Sequence, residues 1–176
     1  MIIGLTGYAQ SGKDTLAGML IGLHKYDNRA FADPIRKLLY ETNPLLKSEY
    51  RVKGLVDAYG WDQIKVEYPE ARNLLQNLGV SARNLFGENF WVEQALSGLS
   101  KGDKVVITDV RFPNEADAIK ALGGQVWRVK RIGVGAVNNH ESETAMDGYS
   151  VDQIFVNNGT PADLMALLQV RMRQFV

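Results

Sequence analysis

Gly7-Tyr8-Ala9-Gln10-Ser11-Gly12-Lys13 satisfies the spacing G-x-x-x-x-G-K, and it stands between an apolar run, Ile2 to Thr6, and a helical pattern beginning at Lys13. Successive backbone N–H groups leading into a helix N-terminus form a cradle for anions. The glycines let the backbone approach closely, and Lys13 adds a mobile positive charge suited to the β- and γ-phosphates of a nucleoside triphosphate. Read alone, two glycines serve only a strand-to-helix turn; the lysine, the spacing and the context together favour phosphate. Gly7, Ala9, Gln10, Ser11, Gly12, Lys13, Asp14 and Thr15 are therefore candidate ATP-binding positions. One residue departs from the usual form. Asp14 stands where a Ser or Thr normally ligates Mg²⁺, and Thr15 follows one place later, which makes Asp14 and Thr15 candidate metal-region residues.

A second group lies at the end of another apolar run. Val105-Val106-Ile107-Thr108 leads into Asp109, and Arg111 follows two residues on. An Asp at a strand end is often only a turn former; beside a phosphate loop it is also a candidate partner of Mg²⁺. Arg72, Gln76 and Arg83 recur at helix-turn spacings, as either one polar wall or a solvated helix face. Arg128, Lys130 and Arg131 alternate and read as an exposed strand face.

The elements that must position these residues follow from punctuation and periodicity. Strands are expected at Ile2–Thr6, Asn28–Phe31, Lys104–Thr108, Gln125–Arg131 and Ile154–Val156. Helices are expected at Lys13–Leu23, from an Asp33 N-cap with Pro34 at the first helical position, from Pro69 to Leu78 with a stop at Gly79, at Phe90–Leu99, at Asn114–Leu122, and after a Thr160…Asp163 capping box. Residues 43–68 give only short helices. Strands separated by helices imply a parallel sheet with helices on both faces, whose ligands sit beyond the strand carboxyl ends. Gly7 to Thr15, Asp109 to Arg111 and Asn157 to Gly159 all fall there.

Composition narrows the chemistry. The 176 residues carry 20 Lys+Arg against 20 Asp+Glu, 45% hydrophobic residues and no Cys. Without Cys there are no disulfides, thiolate nucleophiles or Cys-based zinc sites, and two His exclude a multi-histidine metal centre. Formal neutrality argues against a broad nucleic-acid or anionic-membrane surface. No apolar stretch approaches membrane-spanning length and no linker or repeat divides the chain, so the expectation is one cytoplasmic domain with small partners.

With these residues in hand, the sequence resembles the deoxynucleoside monophosphate kinases of tailed bacteriophages, within the nucleoside monophosphate kinase branch of P-loop proteins. The resemblance rests on Ser11-Gly12-Lys13-Asp14-Thr15, Phe31-Ala32-Asp33-Pro34, Arg72 to Gln76 with Gly79, and Phe90-Trp91-Val92. It continues through Asp109-Val110-Arg111-Phe112-Pro113-Asn114-Glu115, Gly123-Gly124, His140-Glu141-Ser142-Glu143 and Asn157-Asn158-Gly159-Thr160. It implies an α/β three-layer P-loop kinase fold: a five-stranded parallel sheet with helices on both faces (core 1–32 and 101–176), a helical monophosphate-binding insertion at about 33–100 and a short lid at about 131–150. By the same resemblance Lys13, Asp109, Arg111 and Arg131 are catalytic, and Asn157 and Gly159 join the ATP loop. Asp33, Lys37, Arg72, Gln76, Arg83, Trp91 and Arg111 bind the monophosphate, and Asp14, Thr15 and Asp109 serve Mg²⁺. His140 reads as structural, and Gly133, Gly135, Asn138 and Asn139 give 132–139 a loop composition. Exposed apolar residues of the segment 43–90 leave a homodimer open.

Two other chemistries remain on the table: a P-loop kinase acting on a small-molecule hydroxyl, with Asp33 or Asp109 as base, and a nucleotide-binding regulatory module.

Overall fold

The computed structural model describes residues 1–136 and 141–175, with side chains from 143 onward in the second stretch. It forms two compact units, Met1–Ala30 with the described part of Gly98–Val176, and Phe31–Ser97.

The first unit contains β1 (Ile2–Thr6), α1 (Lys13–His24), β2 (Asp27–Arg29), β5 (Val105–Ile107), α6 (Pro113–Ala121), β6 (Gln125–Lys130), α7 (Glu141–Thr144), β7 (Gln153–Val156) and α8 (Pro161–Met172). Its five strands are all parallel, in the order β2-β5-β1-β6-β7. The central strand β1 is buried along its whole length, as a strand covered on both faces must be. Alternate residues Ile3 and Leu5 pack with Leu16, Leu20, Leu164 and Leu168 of α1 and α8. On the other face a side chain at Gly4 would meet Ile119 of α6 at 2.6 Å, so this glycine is what lets α6 lie close against the sheet. Three layers result. Trp127 sits at zero exposure in β6, and its indole N–H donates to the Gln125 side-chain oxygen at 2.8 Å, which removes the cost of burying that donor.

The second unit, which interrupts the first in sequence without any linker-like composition, contains α2 (Asp33–Thr42), β3 (Leu45–Leu46), β4 (Tyr50–Arg51), α3 (Val52–Glu67), α4 (Pro69–Phe86) and α5 (Phe90–Leu96). Leu39, Leu46, Val52, Leu55, Ile64 and Ala71 form its core.

Three expectations need correction. The segment 43–68 holds an antiparallel hairpin, β3 with β4, before its helix. Its turn passes through Lys47 and Ser48, both at positive φ, and neither residue type advertises a hairpin turn. The helix that follows is broken at Gly60, which alone within it is non-helical. Asp33 is the first residue of α2 instead of its cap, and its carboxylate accepts from Arg36 at 3.3 Å.

The helix begun by Pro69 does not stop at Gly79 but continues to Phe86 and ends at Gly87, whose φ of 103° is the left-handed exit that Gly79 lacks. A Cβ at Gly79 would make an ordinary 3.5 Å contact with Ile35. Gly79→Ala is therefore expected to stabilise the chain by about 0.5–1 kcal/mol in denaturant unfolding, whereas a glycine in a helix-ending left-handed turn would make the same change destabilising.

Candidate active site

The phosphate loop is built by backbone conformations that its residue types permit at a cost. Gly7 and Gly12 lie at φ 139° and 102°, and side chains there would collide with the Val129 carbonyl and the Asn157 amide respectively. Gln10 lies at φ 63° with no such licence, a strained residue that the surroundings must hold. Tyr8 closes the turn by accepting the Ser11 N–H at 3.2 Å. From the loop after β7, the buried Asn157 donates from Nδ2 to the Ser11 carbonyl at 2.9 Å.

Lys13, the first residue of α1, donates from Nζ to the Tyr8 carbonyl at 2.9 Å. Burial holds its pKa below the ordinary lysine value, Asp14 and Asp109 pull the other way, and Arg111 adds to the lowering. A cleft of about 270 Å³ opens here, lined by Gln10, Gly12, Lys13, Asp14, Thr15, Arg131, Asn157, Gly159, Pro161 and Leu164. It brings the loop, Arg131 and the Asn157–Gly159 turn to one place. Pro161 and Leu164, the apolar part of its wall, carried no signal in the sequence beyond their helix. Gly7, Ala9 and Ser11 shape the loop without lining the cleft. Asn157 faces two ways: it lines the cleft, and its amide is committed to holding the loop.

Asp109 follows β5 by two residues; the next residue, Val110, donates its backbone N–H to Leu5 of the neighbouring strand at 3.1 Å. Arg111 pairs with Glu143 at 3.4 Å, and its backbone N–H donates to the Glu115 carboxylate at 2.7 Å, so the turn before α6 is tied down twice.

The reading of Arg128 as an exposed strand residue is overturned. Its guanidinium donates to the Met146 carbonyl, to Tyr149 at 3.2 Å and to Asp147 at 3.4 Å, and so pins the segment after α7 to the sheet. Tyr149 donates to Asp117 at 2.7 Å, and burial together with that carboxylate pushes its pKa up to about 12. Asn138, Asn139 and His140 lie outside the described residues.

In the helical unit, Arg72, Gln76 and Arg83 all lie on α4. At about 100° per residue they fall within about 40° of one another around the axis, an alignment that exists only because the helix runs through Gly79. Lys37 is exposed on α2. Trp91 is 7% exposed, and its indole N–H donates to the Gly79 carbonyl at 3.0 Å, which fastens α5 to α4.

Among the described residues no three His, Cys, Asp or Glu side chains gather into a cage. The donors that line the cleft, Asp14 and Thr15, fit Mg²⁺, which keeps several waters and takes one or two carboxylates together with substrate phosphates.

The comparisons with known proteins bear on the same residues. The family model described as deoxynucleotide monophosphate kinase matches residues 63–168. A protein of Acanthamoeba polyphaga mimivirus, named as a candidate deoxynucleotide monophosphate kinase, is 31% identical over 91% of this chain and 90% of its own length. The deoxynucleotide monophosphate kinase of Escherichia phage RB69 is 30% identical over 58% of this chain and 44% of its own, longer sequence. Among solved structures, the dephospho-CoA kinase of Campylobacter jejuni is similar at a TM-score of 0.51 with 14% identity, over 99% of this chain and 96% of that one, a likeness of fold. An α/β sheet carrying a phosphate loop, a family match over more than half of the sequence and a viral relative similar over about nine-tenths of both chains lead to one assignment: the chain belongs to the deoxynucleotide monophosphate kinase family and is a nucleotide kinase.

Proposed function

We propose that the protein transfers the terminal phosphoryl group of ATP to the 5′-phosphate of a deoxynucleoside monophosphate. The observation that carries this reading is the cleft in which Lys13, Asp14, Thr15 and Arg131 meet the Asn157–Gly159 turn at the start of α1, where a helix N-terminus and two cations favour an anionic ligand such as a polyphosphate. The donor is ATP and the transfer is in line, with charge spread over the moving group and catalysis by positioning and neutralisation. The acceptor phosphate, with a second pKa of about 6, is already a nucleophilic anion at neutral pH. No general base is required.

Lys13 and Arg131 neutralise the donor phosphates, and Arg111, held by Glu143, offsets charge on the transferring group. Arg72, Gln76 and Arg83, with Asp33 and Lys37, bind the monophosphate, arginine being preferred there for its bidentate fork. Asp14 and Thr15, together with Asp109, would hold Mg²⁺, which would supply further neutralisation of the donor phosphates.

The lowered pKa of Lys13 has a kinetic signature. The pH dependence of kcat/KM reports the free enzyme and that of kcat the complex. As pH rises the unliganded lysine loses its charge below the ordinary value of 10.5. Donor phosphates hold the proton on. The alkaline fall of kcat/KM for ATP is thus expected at lower pH than that of kcat, and coincident limbs would remove Lys13 as the group responsible.

The direct test measures ADP formed from ATP and Mg²⁺ with dAMP, dGMP, dCMP or dTMP added separately, against an acceptor-free blank. Strong stimulation by at least one is expected. A rate equal to the blank with all four would overturn the monophosphate acceptor.

A further inference from the structure

The strained loop is held from two sides. On one side Asn157 grips the Ser11 carbonyl. On the other, the Tyr8 hydroxyl donates to the Asp147 carboxylate, 2.8 Å from both of its oxygens. The two grips flank Gln10, the non-glycine residue at φ 63°. Tyr8 is also the residue whose carbonyl accepts both the Ser11 N–H and the Lys13 ammonium, so its orientation sets the turn and the lysine together. Asp147 is itself fixed, since Arg128 donates to its carbonyl and to those of Met146 and Tyr149 on either side.

We propose that Asp147 is a positioning residue for the donor nucleotide, acting through the Tyr8 hydroxyl to hold the phosphate loop in its anion-binding conformation. The inference rests on the reading of the 270 Å³ cleft as the ATP site. Its physical basis is preorganisation: a loop with a left-handed glutamine relaxes unless its surroundings over-determine it, and a relaxed loop must be re-ordered by each ATP that binds. The carboxylate acts through a hydrogen bond and contributes no charge to the cleft wall.

The test is calorimetric titration of the full chain with Mg²⁺ and the β,γ-imido analogue of ATP, comparing wild type with Tyr8→Phe, Asp147→Ala, Asp147→Asn and the Tyr8→Phe/Asp147→Ala double variant. Thermal melts establish that each is folded. Loss of this one solvent-exposed hydrogen bond is expected to weaken analogue binding about fivefold to tenfold in Tyr8→Phe and in Asp147→Ala. The double variant should be no weaker than the weaker single. Asp147→Asn, which keeps an acceptor oxygen, should stay within about twofold of wild type. Monophosphate affinity should not change, whereas general loosening of the fold would lower both affinities.

Wild type that fails to bind the analogue overturns the donor-site reading itself. Wild-type binding that Tyr8→Phe and Asp147→Ala share unchanged, or single effects that multiply in the double variant, overturns the tether alone.

Discussion

Lys13→Ala is expected to lower kcat about a hundredfold to a thousandfold, the range associated with removing one preorganised group that stabilises transition-state charge, while leaving the fold intact. The asymmetry follows from the environment of the ammonium. Its hydrogen bond goes to a neutral carbonyl, that of Tyr8, and burial lowers its pKa, so the folded state disfavours the charge at neutral pH instead of profiting from it. Truncation should therefore change stability by no more than about 1 kcal/mol. Steady-state kinetics beside thermal melts decide the matter: turnover close to wild type would refute the phosphate-loop assignment. Lys13→Arg, which restores a cation with a larger head, should recover only part of the rate, since position as well as charge matters.

Arg72→Ala and Arg83→Ala are each expected to raise KM for the monophosphate about tenfold to a hundredfold and KM for ATP much less. That range is the loss of one charge-assisted, bidentate contact to phosphate. Both residues belong to α4, in the unit that does not contain the phosphate loop. Separate effects on the two Michaelis constants are the expected result, and an effect confined to ATP would place the acceptor elsewhere. Because Arg72 and Arg83 share one helix face, their losses should combine less than multiplicatively if both touch the same phosphate.

Much of the sheet unit was legible in the amino-acid sequence. Ile2–Thr6 is a strand with the expected limits, α1, β5, α6, β6 and β7 begin and end within one or two residues of expectation, and α8 begins at its expected cap. These elements are bounded by residues that act locally: Gly7, the Gly123-Gly124 pair, and Thr160 with Asp163, whose capping box forms with the Asp163 carboxylate 2.7 Å from the Thr160 N–H. The phosphate loop was legible for the same reason, since its chemistry is carried by neighbours in sequence.

What only the tertiary structure decided depends on contacts between distant residues. The hairpin at Lys47 and Ser48 uses backbone conformations those residues do not favour, and α4 runs through a glycine where local propensity predicts an end. Trp91 is a strut because the Gly79 carbonyl lies within its reach, and Arg128 is an anchor because three carbonyls from residues 146–149 converge on it. Periodicity and motif spacing record what a residue does to its near neighbours along the chain. Which partner satisfies a buried indole or a guanidinium is set by the packing of separate elements, so Asn157, Asp147 and Arg128 acquire their roles in holding the loop only once the strands lie side by side.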